Sequence, residues 1–168
     1  MIMSLIFQRA SVRRFTDEVV SDEKIENLLK AGMQAPSACN AQPWEFIVVS
    51  SDDDKKAISM MHKFAAPAAK ASHLIITLGN LNESKVHGMI EQDLGACNEN
   101  IILQATHEGL GAVWFGFHPI EDRVLKLKEY LNIPDYCIPF SVICVGYPAH
   151  EIPVKLRYDE SLVHFDRY

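Results

Sequence analysis

The sequence predicts one domain that mixes α-helices with β-strands. Three observations lead there. Apolar residues recur at helical spacing in some segments and as short unbroken runs in others, the two kinds alternate along the chain, and no low-complexity linker or repeat interrupts them. At 168 residues and 48% hydrophobic content, the chain is long enough to bury roughly 70% of its unfolded surface without disulfide staples. Alternation taken alone favours a parallel α/β sheet.

The elements follow in order. Ser21 is placed to cap a helix, Asp22 and Glu23 suit its positive end, and Ile25, Leu28, Leu29 and Met33 share one face up to Pro36. Trp44–Val49 reads as a strand. The polar turn Ser51–Asp54 opens a second helix through about His62, and Leu74–Leu78 is a fully buried strand stopped by Gly79. The longest helix is expected over Ser84–Glu108, with Ile90, Leu94, Cys97, Ile101 and Ala105 in period and Gly109 ending it. Ala112–Phe117 is a third strand, Pro119 opens a helix carrying Val124, Leu127 and Leu131, and Pro139–Gly146 is a β-branched fourth strand. Residues 147–168 show no helical period, contain Pro148 and Pro153, and need another surface to pack on.

Composition narrows the function classes. A formal charge of -6 disfavours nucleic acid as a partner. The longest apolar runs, Phe140–Val145 and Leu74–Leu78, fall far short of the roughly 20 residues of a membrane-spanning helix. Cysteines at 39, 97, 137 and 144 form no CxxC pair, and no signal segment is apparent, so a reducing cytoplasmic setting is expected.

Three segments carry the chemistry. In Arg9-Ala10-Ser11-Val12-Arg13-Arg14-Phe15, the alternating Arg9, Ser11 and Arg13 would face one side of an extended strand, where guanidinium groups suit a phosphate. Pro36-Ser37-Ala38-Cys39-Asn40-Ala41-Gln42-Pro43-Trp44 is a small-residue, amide-rich loop that can approach a flat heteroaromatic ring. Gly109-Leu110-Gly111-Ala112-Val113-Trp114-Phe115-Gly116 looks like a dinucleotide fingerprint, but a helix precedes it and a strand follows, the reverse of what that motif needs.

Together these runs resemble the nitroreductase family of FMN-dependent oxidoreductases, over about Arg9 to Arg157. The resemblance implies an α+β fold with a mixed, mostly antiparallel sheet flanked by helices. It also implies a single nitroreductase-like domain over residues 1–168, assembled as an intertwined homodimer whose C-terminal arm, residues 147–168, packs on the partner subunit. It implies FMN as cofactor and NADH or NADPH as donor. By the same resemblance Arg9, with Lys155 and Arg157, holds the phosphate and ribityl chain, and Ser11 lies between them. Arg13 faces the flavin pyrimidine, and a backbone N–H near Gly116, beside Trp114 and Phe115, meets N5; Arg13 and Gly116 thus take the catalytic roles. Pro36, Ser37, Asn40 and Gln42 would reach the cofactor from the other subunit. The implied reaction is ping-pong hydride transfer to a nitroaromatic, quinone or related small acceptor.

Other readings stay open. A flavin-binding or ligand-sensing module without turnover, a specialised branch such as dehalogenation, and an unrelated α/β protein each fit part of the pattern. Metal binding by His87 and Glu91 lacks a third ligand, Cys39 lacks a positioned base, and Cys97 and Cys144 read as core. Ala10 stands where relatives often carry Arg or His, and Lys70 is the sole candidate in Phe64–Lys70 for a further cofactor lysine. The chain also has little room for a lid, so the acceptor is its least legible property.

Overall fold

The computed structural model describes residues 4–86, 88–153 and 155–168. Its helices are α1 (Leu5–Gln8), α2 (Asp22–Met33), α3 (Asp52–Met60), α4 (Ile90–His107) and α5 (Glu121–Leu131). The strands are β1 (Trp44–Val49), β2 (His73–Asn80), β3 (Gly111–Gly116) and β4 (Cys137–Gly146), with short 3-10 turns at Ala38–Asn40, Ala66–Lys70 and Glu160–Leu162. The sheet order is β1-β2-β4-β3, and every neighbouring pair is antiparallel. The parallel sheet that alternation favours is therefore not formed.

Helices cover both faces. On one side α3 and α5 contribute Ile58 and Leu127 to a core with Leu74, Ile76, Phe115 and Val142. On the other, Leu28 of α2 and Cys97 and Ile101 of α4 pack with Ile75, Ile143 and Val145. A strand covered on both faces buries successive side chains, which explains why Leu74–Leu78 of β2 reads as a buried, mostly apolar run despite its antiparallel pairing, with Thr77 its one polar member. Burial pushes the Cys97 thiol up to about 12 and the Cys144 thiol higher still, so both behave as small core residues.

The expected helix starts are present as caps: Ser21 Oγ accepts from Lys24 N, and Ser51 Oγ from Asp54 N. The start of α4 differs. It begins at Ile90 rather than Ser84, after Gly88 adopts a left-handed φ of +80° that a continuing helix cannot accommodate. Beneath α4, Asn98 is fully buried. Its Oδ1 accepts from Thr77 Oγ1 at 2.7 Å, and its Nδ2 donates to Ser141 Oγ at 2.7 Å, tying α4 to β2 and β4.

Two buried histidines make the fold acid-sensitive. His62 packs among Phe64, Phe115 and Phe117, and its Nδ1 accepts the Phe64 N–H at 3.0 Å, so the neutral ring suits the site. Desolvation, then the charge of Arg123, holds its pKa below 6.5. His73 is likewise lowered from 6.5 by desolvation and then by Lys55. Both take up a proton less readily when folded than in the unfolded chain, which does so as pH falls through 6.5. Stability should thus be full above that pH and decline as pH falls through it. Melting temperatures at pH 7.5 and 5.5 would measure the loss, and His62→Gln together with His73→Gln should flatten it.

Candidate functional site

The first site segment is held against the sheet edge by a steric notch. Gly111 of β3 pairs with Gly146 of β4. A Cβ built on Gly111 would stand 2.6 Å from Val12, and one on Gly146 would stand 2.9 Å from Phe15. Two missing side chains therefore create the dent that seats Val12 and Phe15. Ser11 bridges to Ala112, and Val12 N donates to Ala112 O at 2.9 Å. With Val12 buried inward, Ser11 and Arg13 point outward, and Arg9 sits where α1 ends.

The same segment recruits the start of the tail. Thr16 N donates to Tyr147 O at 2.9 Å and Ala149 N to Arg14 O at 3.0 Å, and Phe15 bridges to Pro148. The tail then runs past the amino-terminal segment. Arg9, Ser11, Arg13, Lys155 and Arg157 line one cavity of about 510 Å³, alongside Pro153. No carboxylate joins that lining. A chain of net charge -6 thus gathers four cations, from both ends of its sequence, around one hollow.

Arg9 and Ser11 also line a second hollow of about 570 Å³, which continues to Trp114 and Gly116 of β3 and to Glu99 of α4. The two hollows share Arg9 and Ser11 in their walls. Glu99 Oε1 lies 3.6 Å from Arg9 Nε, and Arg123 Nη1 donates to Gly116 O at 3.2 Å, fixing the peptide that ends β3. Phe115 is 5% exposed, packs in the core against His62 and lines neither hollow.

The second expected segment is elsewhere. Pro36, Ser37, Asn40 and Gln42 line neither hollow of this chain. Their loop is unusual in its backbone: Cys39, Asn40 and Gln42 have φ of 53°, 50° and 51°, in the left-handed region that favours glycine. Ser37 Oγ accepts from Gln42 N at 2.9 Å, Lys85 Nζ donates to Cys39 O at 3.4 Å, and Asp93 Oδ1 accepts from Ala38 N at 2.9 Å. Lys70 ends a 3-10 turn and lines a different hollow, with Thr16 and His73. His87 lies outside the described residues, and Glu91 pairs with His118 Nε2 at 3.2 Å. Among the described residues no three His, Cys, Asp or Glu side chains group as a metal site, and no helix is long and apolar enough to cross a membrane.

Sequence reasoning missed Asp93, Glu99 and Arg123. Asp93 carried a signal, since a charged residue beside Leu94, in the apolar stripe of α4, must find a partner when buried. Glu99 and Arg123 carried none, because exposed charges on helices are ordinary.

Comparison with known proteins adds a family match. The model of the nitroreductase family matches residues 6–77 and 80–147. A relative from Archaeoglobus fulgidus, provisionally named NADH dehydrogenase/NAD(P)H nitroreductase, is 42% identical over 99% of this chain and 98% of its own length. The crystal structure of a provisionally named NADH oxidase from Clostridium acetobutylicum superposes with a TM-score of 0.96 at 43% identity, covering 98% of this chain and 100% of that one. A provisionally named nitroreductase from Desulfovibrio desulfuricans, solved in complex with FMN, has a TM-score of 0.85 at 28% identity, covering 98% of this chain and 95% of that one.

Proposed function

This chain belongs to the nitroreductase family, and from that premise we propose that it is an FMN-dependent oxidoreductase that uses NADH or NADPH to reduce small acceptors such as nitroaromatics and quinones by a ping-pong cycle. The observation that carries this reading is the convergence of Arg9, Arg13, Lys155 and Arg157 on one cavity without a carboxylate in its lining, two of whose wall residues, Arg9 and Ser11, also line the hollow that holds Trp114 and Gly116.

The residues present fit the cofactor. Arg9, Lys155 and Arg157 supply the charge-assisted donors a dianionic phosphate needs, and three such contacts are worth about 5–9 kcal/mol, on the order of micromolar binding. The neighbouring hollow, lined by Ser11, Trp114 and Gly116, would take the flat ring, and Gly116 offers it only backbone. When bound, FMN supplies the two-electron chemistry, taking hydride from the nicotinamide and passing it to the acceptor. The protein's share is positioning and charge. Arg13, exposed beside the cavity with Nη1 3.4 Å from Ser11 O, would stabilise negative charge on the flavin pyrimidine. Arg123 steadies the Gly116 peptide. No side-chain acid or base is required.

We extend the proposal to a homodimer made from a single-domain chain. Leu156, Tyr158, Leu162 and Phe165 are 68–84% exposed along the tail, a density of apolar side chains that suits a partner surface. The Ser37–Gln42 loop would then face the cofactor of the second copy.

The test is direct. FMN-loaded protein should sediment as a dimer and lose its yellow colour when mixed anaerobically with NADH or NADPH. Persistent oxidised flavin would favour a binding module, and protein that takes up no FMN would end the reading. An Arg13→Ala variant should bind FMN about tenfold more weakly and reduce more slowly. Equal affinity and equal reduction rate would remove Arg13 from its role.

A further inference from the structure

We infer that Asp93 is a positioning residue: its carboxylate clamps the Ser37–Gln42 loop and thereby sets affinity for the ring side of the cofactor, an inference that rests on the FMN reading above. The bond from Ala38 N to Asp93 Oδ1, at 2.9 Å, joins the first turn of α4 to the base of that loop. Helix-terminal acids usually serve the helix dipole from water, as exposed Glu91 does in the same turn. Asp93 is only 6% exposed. A carboxylate taken out of water needs a donor, and the loop's own backbone supplies one.

The loop needs such an anchor. Cys39 and Gln42 hold left-handed φ values that side chains with a Cβ adopt rarely, and Asn40 between them does the same. Ser37 fastens one side of the turn by accepting from Gln42 N, and Lys85 reaches the Cys39 carbonyl from an exposed position. Asp93 is the one buried ionisable group among these three anchors. Without it, the loop has fewer constraints holding Ser37 and Asn40 in the single arrangement that a rigid flat ligand requires.

The experiment uses two variants and two readouts. In Asp93→Ala, amide exchange over residues 38–42 of the flavin-free protein should accelerate on the order of tenfold, and affinity for both FMN and riboflavin should fall on the order of tenfold, with altered visible circular dichroism of the bound flavin. Equal losses for the two flavins separate the loop from the phosphate cations, since Arg9→Ala should weaken FMN alone. Asp93→Asn keeps an acceptor oxygen and should recover most of both signals. If Asp93→Ala fails to fold, Ala38→Pro deletes the donor instead, with Ser37 already at φ -143° and ψ 154°, the extended region that precedes proline. Parental exchange in the loop, or faster exchange with unchanged flavin affinity and dichroism, overturns the inference. A parent that binds no flavin overturns the FMN reading, while exchange alone still decides the clamp: acceleration supports it and parental rates refute it.

Discussion

Gly111→Ala should cost the protein both stability and cofactor. The new methyl would stand 2.6–2.7 Å from Cβ, Cγ1 and Cγ2 of Val12, a buried β-branched side chain with little rotamer freedom to yield. Overpacking of this kind costs about 1–3 kcal/mol. The relief available is a shift of the backbone around Val12, and that backbone carries Ser11 and Arg13 on either side and Arg9 just before. FMN affinity should therefore drop by more than the stability change alone explains, by on the order of tenfold or more if one charge-assisted contact is lost. Gly109→Ala is the control. Gly109 has φ +73° and open space where a Cβ would go, so its substitution costs local strain of about 1 kcal/mol but leaves Val12 seated. Calorimetry with flavin titration of both variants decides the matter: equal flavin loss in the two would refute the notch.

Asn98→Ala should be the most destabilising polar substitution. It removes both hydrogen bonds of the Thr77–Asn98–Ser141 chain at once, leaves two buried hydroxyls with one fewer partner each, and opens space beneath α4. Lost hydrogen bonds and cavity together amount to about 3 kcal/mol. For a chain of this size that corresponds to roughly 6–12 °C in melting temperature. The triple variant Thr77→Val, Asn98→Leu, Ser141→Ala should recover most of the loss, because replacing every partner of a buried network is far less costly than orphaning some. The network also matters for the site. Ser141 pairs with Gly116 across β4 and β3, so loosening it frees the strand end that lines the hollow with Trp114. Thermal denaturation of the single and triple variants tests this; a single variant within 2 °C of the parent would refute it.

Much of this was legible in the residues, for identifiable reasons. Helix starts at Ser21 and Ser51 were readable because capping is a local event, visible within four residues. The strand at 74–78 was readable as an apolar run, but its antiparallel pairing was not, since helices on both faces erase the alternation that marks antiparallel strands. Ser84–Val86 carried helix-compatible residues, yet α4 starts only at Ile90, after left-handed Gly88. The gathering of Arg9 with Lys155 and Arg157 in one cavity is a tertiary fact, foreseen only through the family resemblance. The left-handed turn at Cys39–Gln42 was hidden because neither cysteine nor glutamine advertises that conformation.

The meeting of the two chain extremities also has a kinetic consequence. Loop closure between Arg13 and Lys155 spans nearly the whole polypeptide, and long-separation contacts form after local ones. The sheet and its helices can assemble from nearer neighbours, so the four-cation cavity should mature last in refolding. On a ribosome, it cannot exist until synthesis has passed Arg157.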